Sequence, residues 1–108
     1  MTSNLDLENR LLTLCVPGDL ISTNAEELRT ELTRLLGTVE GAPSQWQTFR
    51  LDLARARMVD SVGLNLVVGL LKRLRKRGAK LQVAYASQNV LRTFTFTRLD
   101  KHVEMVKA

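Results

Sequence analysis

Alternating apolar and polar positions predict short β-strands along this chain. Leu11 to Val16 is an apolar run that stops at the turn signal Pro17 to Asp19, which is typical of a buried strand. In Phe49 to Leu53 and again in Leu81 to Tyr85, every second residue is apolar, so each segment predicts a strand with one buried face. Shorter runs predict a first and a last strand, at Leu5 to Leu7 and at Val103 to Val106.

Helical spacing appears between these strands. Leucines recur three and four positions apart from residue 28 to residue 36, which predicts an amphipathic helix. Thr23 and Glu26 have the spacing of a capping box at its start, and Gly37 predicts a left-handed stop at its end. The segment from Thr38 to Gln47 has no periodicity and contains Pro43, so we expect an exposed loop there, with Trp46 covering one end of the core.

Two further helices are predicted in the second half of the chain. Residues from Val62 to Arg77 read as a helix that ends at Gly78 and has Asp60 or Ser61 as its N-cap. Its first half is apolar nearly all round, so its start should be buried or covered by a partner, whereas its second half is basic. Ser87 is the expected N-cap of a short third helix.

The order β-β-α-β-α-β-α-β predicts an α/β fold in which the helices pack against one sheet through right-handed crossovers. A chain of 108 residues suits a single domain, here residues 1–108. At 44% hydrophobic and 25% charged residues, the composition is that of an ordinary globular domain.

Several classes of protein are disfavoured by the residues present. No apolar run approaches the ~20 residues that a membrane-spanning helix needs, so no membrane insertion is expected. Met1 to Asn9 lacks the basic start of a secretory signal, so we expect a cytoplasmic protein. One cysteine, Cys15, cannot form an internal disulfide, and with the single His102 it offers no metal cluster.

Positive charge is concentrated in the second half of the chain. Residues 1–48 hold seven acidic and three basic residues, whereas residues 49–108 hold four acidic and thirteen basic ones. Six of the bases lie close together, at Lys72, Arg73, Arg75, Lys76, Arg77 and Lys80. Such a run attracts acidic proteins, nucleic acid or anionic membranes. Basic residues at the end of a helix also interact favourably with the negative end of the helix dipole, which explains them without a ligand. No recognition helix accompanies them, so we expect no nucleic-acid partner.

No catalytic motif is present. The chain lacks a P-loop, a G-x-G-x-x-G after a strand, H-E-x-x-H and C-x-x-C. Ser61 lacks the G-x-S-x-G elbow of a hydrolase nucleophile, and Cys15 lies inside an apolar strand, where it is expected to be inert. The sequence therefore predicts no enzyme, no catalytic residue and no cofactor.

Asp60-Ser61-Val62-Gly63-Leu64 is the most informative segment, because it joins a predicted strand to a predicted helix. Taken alone, it is explained by a helix cap and a glycine that permits close backbone approach. Its context says more: the strand at 49–53, the D-S-x-G-L junction, the leucine-rich helix, the strand after Gly78 and S-x-x-V-L-x-x-F at 87–94 follow in one order. Together, over about residues 11–106, they resemble the STAS domain family, especially its anti-sigma factor antagonists.

The resemblance implies a small mixed β-sheet flanked by helices and a protein that acts by binding. In that family the unphosphorylated antagonist binds a serine kinase that is also an anti-sigma factor. The kinase then phosphorylates the serine after the Asp, and a serine phosphatase restores it. By motif, that serine is Ser61. The docking surface implied by analogy comprises Gly18, Asp19, Ser22, Thr23, Asp60, Ser61, Val62, Gly63 and Leu64.

Two positions depart from the family pattern. The usual G-E-L-D before the first helix is Gly18-Asp19-Leu20-Ile21 here, so Ile21 stands in place of the last acid. Val62 stands where a second Ser or Thr is common, which leaves Ser61 as the only hydroxyl of the motif. A non-switching STAS module, such as a signalling scaffold or a subunit of a lipid-transport complex, is the alternative interpretation.

Overall fold

A computed structural model describes residues 1–39 and 45–108, without the side chains of residues 38 and 39. The described chain forms five strands and three α-helices in the predicted order. The strands are β1 (Thr2–Asp6), β2 (Leu11–Cys15), β3 (Thr48–Leu53), β4 (Lys80–Tyr85) and β5 (Glu104–Lys107). The helices are α1 (Ser22–Val39), α2 (Ser61–Lys76) and α3 (Gln88–Phe96), and a short 3₁₀ helix, Leu99–Lys101, precedes β5.

The strands form one mixed sheet in the order β1-β2-β3-β4-β5. β1 pairs antiparallel with β2, and the other three pairings are parallel. The parallel strands β2 to β5 therefore all end at one side of the sheet, which we call the carboxyl edge, and begin at the other, the amino edge. Each helix begins at the carboxyl edge, because each follows a parallel strand.

One face of the sheet is covered by the helices. Alternate residues of β2, β3 and β4, such as Leu14, Leu51 and Val83, are fully buried and share one core with the apolar faces of α1, α2 and α3. The opposite face of the sheet carries half-buried and mostly polar side chains, including Thr13, Arg50 and Gln82 on neighbouring strands. The expected α/β architecture is thus confirmed, with all three helices on one side.

The two glycines predicted to end helices differ in the structure. Gly78 follows the end of α2, as the sequence predicted, and it has a left-handed φ of 74°. The prediction for Gly37 is wrong, since α1 continues to Val39. A glycine inside a helix lowers its stability only modestly. No neighbouring group lies within 4 Å of the Gly37 Cβ position, so no contact forces the helix to end there. Thr38 and Val39 therefore belong to α1 rather than to the predicted loop, of which residues 40–44 lie outside the described residues.

The predicted capping box of Thr23 and Glu26 is also wrong. α1 begins at Ser22, so Thr23 lies within its first turn. The Asn24 side chain accepts a hydrogen bond from the Ile21 amide at 2.9 Å, and Asp60 accepts one from the Ser22 amide. These two side chains take the amides at the start of the helix and set its first residue one position before Thr23.

Trp46 lies at the amino edge and is only 1% exposed, as expected for a side chain that covers one end of the core. Its ring meets Phe49 edge to face with the ring centroids 5.9 Å apart. The Arg77 guanidinium lies over the Trp46 ring, 4.0 Å from its centroid. The end of α2 is thereby held against the start of β3.

No helix in the described ranges is both long and apolar enough to cross a bilayer.

Candidate functional site

Two loops meet at the carboxyl edge and carry the predicted site. The first joins β2 to α1, and the second joins β3 to α2. Leu20 in the first loop pairs with Val59 in the second through an isolated parallel bridge. The Leu20 amide donates to the Met58 carbonyl at 3.0 Å, and the Asp60 amide donates to the Leu20 carbonyl at 3.1 Å. Leu20 itself is fully buried, so the bridge anchors both loops to the core.

Asp60 is the N-cap of α2 and connects the first turns of two helices. One carboxylate oxygen accepts from the Gly63 amide at 2.9 Å, which is the ordinary capping bond within α2. The other accepts from the Ser22 amide of α1 at 2.8 Å. The Gly63 bond, followed by the Ser22 bond, holds the pKa of Asp60 below its usual value. One side chain therefore fixes where both helices begin.

Gly63 lies where α2 passes closest to the first loop. A Cβ atom at this position would be 2.4 Å from the Leu20 carbonyl oxygen and 2.8 Å from the Leu20 Cγ. The carbonyl oxygen is main chain and already accepts from the Asp60 amide, so it cannot move without breaking the bridge. The glycine of the D-S-x-G-L segment is thus required by contact between backbones.

Ser61 is the first residue of α2, and its side chain is exposed. Within the described part of the chain, its hydroxyl has no hydrogen-bond partner. The residues on both sides of it are fixed, because Asp60 is bonded to two amides and Gly63 is pressed against Leu20. The geometry presents one accessible hydroxyl from a rigid support, at the positive end of a helix dipole.

Apolar residues lie close to Ser61 in the chain. Met58 is 48% exposed and Val62 is 37% exposed, while Leu64 is half-buried and packs against the core. Exposed large apolar side chains are typical of a surface that another protein covers. We call Met58, Ser61, Val62 and Leu64 the serine platform. The start of α2 was expected to be buried or covered by a partner. Its own chain leaves Ser61 and Val62 exposed, so burial within the domain is not what is observed.

The other residues of the predicted docking surface have different positions. The Asp19 carboxylate accepts from the amides of Arg57 and Met58, at 2.7 and 3.3 Å, so it holds the second loop. Gly18 is half-buried, and Ser22 and Thr23 are exposed on the first turn of α1. The Asp19 and Ser22 bonds bring this turn beside the D-S-x-G-L segment, as the resemblance implied.

Three residues of this region were not recognised from the sequence. Met58 was not identified as part of the site, although it stands two residues before Asp60 and is apolar in a loop. Arg57 is exposed beside it. Asn89, in the first turn of α3, donates its side-chain amide to the Arg57 carbonyl at 3.0 Å and so ties the loop to a third helix. Only this long-range hydrogen bond identifies the role of Asn89.

Cys15 lies at the end of β2, on the half-exposed face of the sheet. Its thiol donates to the Asp52 carboxylate at 3.1 Å, and this bond, with burial, raises the pKa of the thiol. A raised pKa keeps sulfur in its less reactive protonated form. Among the described residues, no group of three or more His, Cys, Asp or Glu side chains is arranged to hold a metal ion.

Replacing Asp60 is expected to make stability depend less on pH. A carboxylate whose pKa is lowered by folding stabilises the fold above its ordinary pKa, and this contribution is lost as the pH falls through the lowered value. We expect Asp60→Ala to melt at a lower temperature than the wild type at neutral pH, with the difference shrinking below about pH 4. Thermal melts monitored by circular dichroism over that range measure this.

The control for this experiment is Asp60→Asn, which keeps an acceptor for the cap but cannot ionise. We expect it to lie between Asp60→Ala and the wild type at neutral pH. A melting difference between Asp60→Ala and the wild type that stays constant through the acid range would contradict the assigned role of the ionised carboxylate.

Comparison with known proteins places this geometry in a family. The sequence model of the STAS domain matches residues 3–108. This chain belongs to the STAS domain family, as the motif order suggested.

Solved structures with the same fold include anti-sigma factor antagonists. A Thermotoga maritima protein described as an anti-sigma factor antagonist is similar with a TM-score of 0.83 and 19% identity, over 99% of this chain and 86% of that one. The antagonist SpoIIAA in its unphosphorylated form has a TM-score of 0.73 and 20% identity, over 99% and 88% of the two chains. The phosphorylated form of the Bacillus SpoIIAA has a TM-score of 0.67 and 18% identity, over 99% of this chain and 91% of that one. At these identities the likeness establishes the shared fold.

Proposed function

We propose that this chain is an anti-sigma factor antagonist controlled by phosphorylation of Ser61. In its unphosphorylated form it binds a serine kinase that also acts as an anti-sigma factor. Transfer of a phosphate to Ser61 releases that partner, and a serine phosphatase restores the binding form. The exchange takes place in the cytoplasm, and the chain itself acts by binding rather than by catalysis.

The observation that carries this proposal is the exposed Ser61 hydroxyl within the serine platform. A kinase must reach the hydroxyl, and a partner must cover it, so exposure on a rigid apolar surface serves both steps. The family membership and the existence of SpoIIAA structures in unphosphorylated and phosphorylated forms support the same interpretation.

Local electrostatics also suit a reversible phosphate. A phosphoserine adds a charge of about −1.5 to −2 near pH 7. At the first residue of α2, this charge lies at the positive end of the helix dipole, which favours an anion. The charge of the Asp60 carboxylate beside it is already stabilised by hydrogen bonds from two backbone amides. The domain is therefore expected to keep its fold after modification.

A non-switching function is favoured by one departure from the family pattern, at Ile21. Ile21 stands where the family pattern often has an acid, and it is half-buried. The Asp19 carboxylate does not replace that acid, because it accepts from the amides of Arg57 and Met58. A STAS module that binds its partner without a kinase reaction, as a signalling scaffold or a lipid-transport subunit, needs no acid there.

We expect a cognate kinase to phosphorylate one residue. The partner is first isolated with the tagged wild-type chain from its native host and identified by mass spectrometry, then purified. Incubated with this kinase and ATP, the wild type should gain one phosphate, mapped to Ser61, and Ser61→Ala should gain none. Ser87, the N-cap of α3 at the same edge, is the internal control and should stay unmodified.

Modification of Ser87, or stable binding of a partner that has no kinase activity, would contradict the switching proposal. The second of these results would favour the non-switching module instead.

A further inference from the structure

The amino edge of the sheet, opposite the serine platform, is strongly basic. The ends of α2 and α3, the 3₁₀ helix and the starts of β4 and β5 all lie there. Residues 75–80 and 98–104 together hold six lysines and arginines but two acidic residues. We define the basic edge patch as the exposed members Arg75, Lys76, Lys80, Arg98 and Lys101.

Tertiary contacts bring several of these cations to one groove. A groove of about 350 Å³ runs between the end of α2 and the start of β5, and its lining includes Arg75, Lys80 and Lys101. The Arg75 guanidinium lies 2.7 Å from Nδ1 of His102. A guanidinium can only donate, so this ring nitrogen accepts. The bond holds the segment after the 3₁₀ helix against the end of α2. The arrangement gathers cations from a helix, a strand and a 3₁₀ segment.

The cations that line this groove outnumber its carboxylates. Glu104 lines the same groove, and its carboxylate accepts from the Gln82 side chain at 3.1 Å. Within the described residues, none of Arg75, Lys80 and Lys101 makes an ion pair. Like charges held close together raise the energy of the free protein, and an anionic surface relieves that repulsion.

An exposed aromatic side chain accompanies the patch. Phe96, in the last turn of α3, is 84% exposed, and Arg98 and Lys101 follow it within five residues. A large apolar ring beside lysines and arginines is the combination that adsorbs to anionic bilayers, because the ring enters the headgroup region while the cations contact lipid phosphates. Single-stranded nucleic acid instead calls for several stacking aromatics, and Phe96 is the one large aromatic that is exposed in the described residues.

We propose that the basic edge patch, with Phe96, binds the surface of an anionic lipid bilayer. The attachment is peripheral and requires no membrane-spanning helix. Because the patch lies at the amino edge and Ser61 at the carboxyl edge, the serine platform faces away from the bilayer and stays accessible. The proposal does not depend on phosphorylation of Ser61.

Vesicle sedimentation tests the proposal on the purified full chain. Vesicles of phosphatidylcholine mixed with phosphatidylglycerol should bind the wild type, and vesicles of phosphatidylcholine alone should not. Since each basic residue near an anionic bilayer strengthens adsorption about fivefold, the double variant Arg75→Glu and Lys101→Glu should bind at least tenfold more weakly. Phe96→Ser should also weaken binding, while binding of the wild type should fall as salt is added.

The matched control is Arg55→Glu, which reverses one exposed cation beyond β3, at the carboxyl edge. It should bind the anionic vesicles about as well as the wild type. Equal loss in this control would show attraction by net charge alone and would overturn the assignment to the patch. Absence of binding to anionic vesicles, or tighter binding to single-stranded DNA or RNA at the same salt, would also overturn it. Thermal melts of each variant establish that it is folded.

Discussion

Gly63→Ala will destabilise this protein, although alanine is the better helix former. The added methyl would stand 2.4 Å from the Leu20 carbonyl oxygen, far inside van der Waals contact. Relief requires moving α2 away from the first loop, which strains the bond between the Asp60 amide and the Leu20 carbonyl. Overpacking of this kind costs about 3 kcal/mol, and the gain in helix propensity returns at most about 1 kcal/mol. We therefore expect a net loss of about 2 kcal/mol.

Gly69→Ala provides the matched control, since the same substitution is made in the same helix. Nothing lies within 4 Å of the Cβ position at Gly69, and the residue is exposed. This variant should gain about 0.5 to 1 kcal/mol from helix propensity. Urea unfolding of the two variants and the wild type measures both changes. A Gly63→Ala variant as stable as Gly69→Ala would show that the two loops separate without cost, and the close approach described here would be wrong.

The contrast between the two glycines illustrates what the sequence could and could not provide. Local signals were sufficient for the strands, for the N-cap Ser87 and for the end of α2 at Gly78, and they narrowed the N-cap of α2 to Asp60 or Ser61. Each of these depends on residues within a few positions. The order of these elements was sufficient for the α/β class. The D-S-x-G-L segment indicated that Gly63 permits close backbone approach, but not which group it approaches. The fold places Gly63 against the Leu20 carbonyl oxygen and leaves Gly69 in open space.

The errors have the same origin. Thr23 and Glu26 have the correct spacing for a capping box, but Asp60, thirty-eight residues from Ser22, takes the amide that determines the start of α1. The start of α1 therefore depends on a contact between loops that no periodicity encodes. Gly37 resembles a helix stop, yet α1 passes through it.

In the candidate site, too, some features follow from local sequence and others from contacts between distant residues. The motif predicted which serine is presented, because its neighbours in sequence form the helix start. It did not predict that Met58 joins the serine platform, since the bridge between Leu20 and Val59 sets the path of that loop. The sequence therefore pointed to Ser61, and the fold defined the surface around it.

Phosphorylation of Ser61 is expected to weaken binding of the kinase partner about 100-fold. A partner that packs on Met58 and Val62 accepts the neutral hydroxyl, but a phosphate there must lose its water while facing apolar groups and the Asp60 carboxylate. Leaving such a charge unpaired at an interface costs about 3 kcal/mol. Ser61→Asp, with one negative charge, should weaken binding at least tenfold, and Ser61→Ala should bind as the wild type does. Titration calorimetry with the purified partner measures each affinity.

Ser87→Asp separates this local effect from the general effect of charge. Ser87 is the N-cap of α3 at the same edge, and its hydroxyl accepts from the Asn89 amide at 3.2 Å, a role that aspartate fills equally well. The variant adds one negative charge at a helix start outside the serine platform, so its affinity should match the wild type. The melting temperatures of Ser61→Asp and the wild type should also agree within a few degrees, because the dipole of α2 accommodates the anion. Equal loss of binding in Ser61→Asp and Ser87→Asp would mean that the partner responds to net charge, and Ser61 would no longer be the switch.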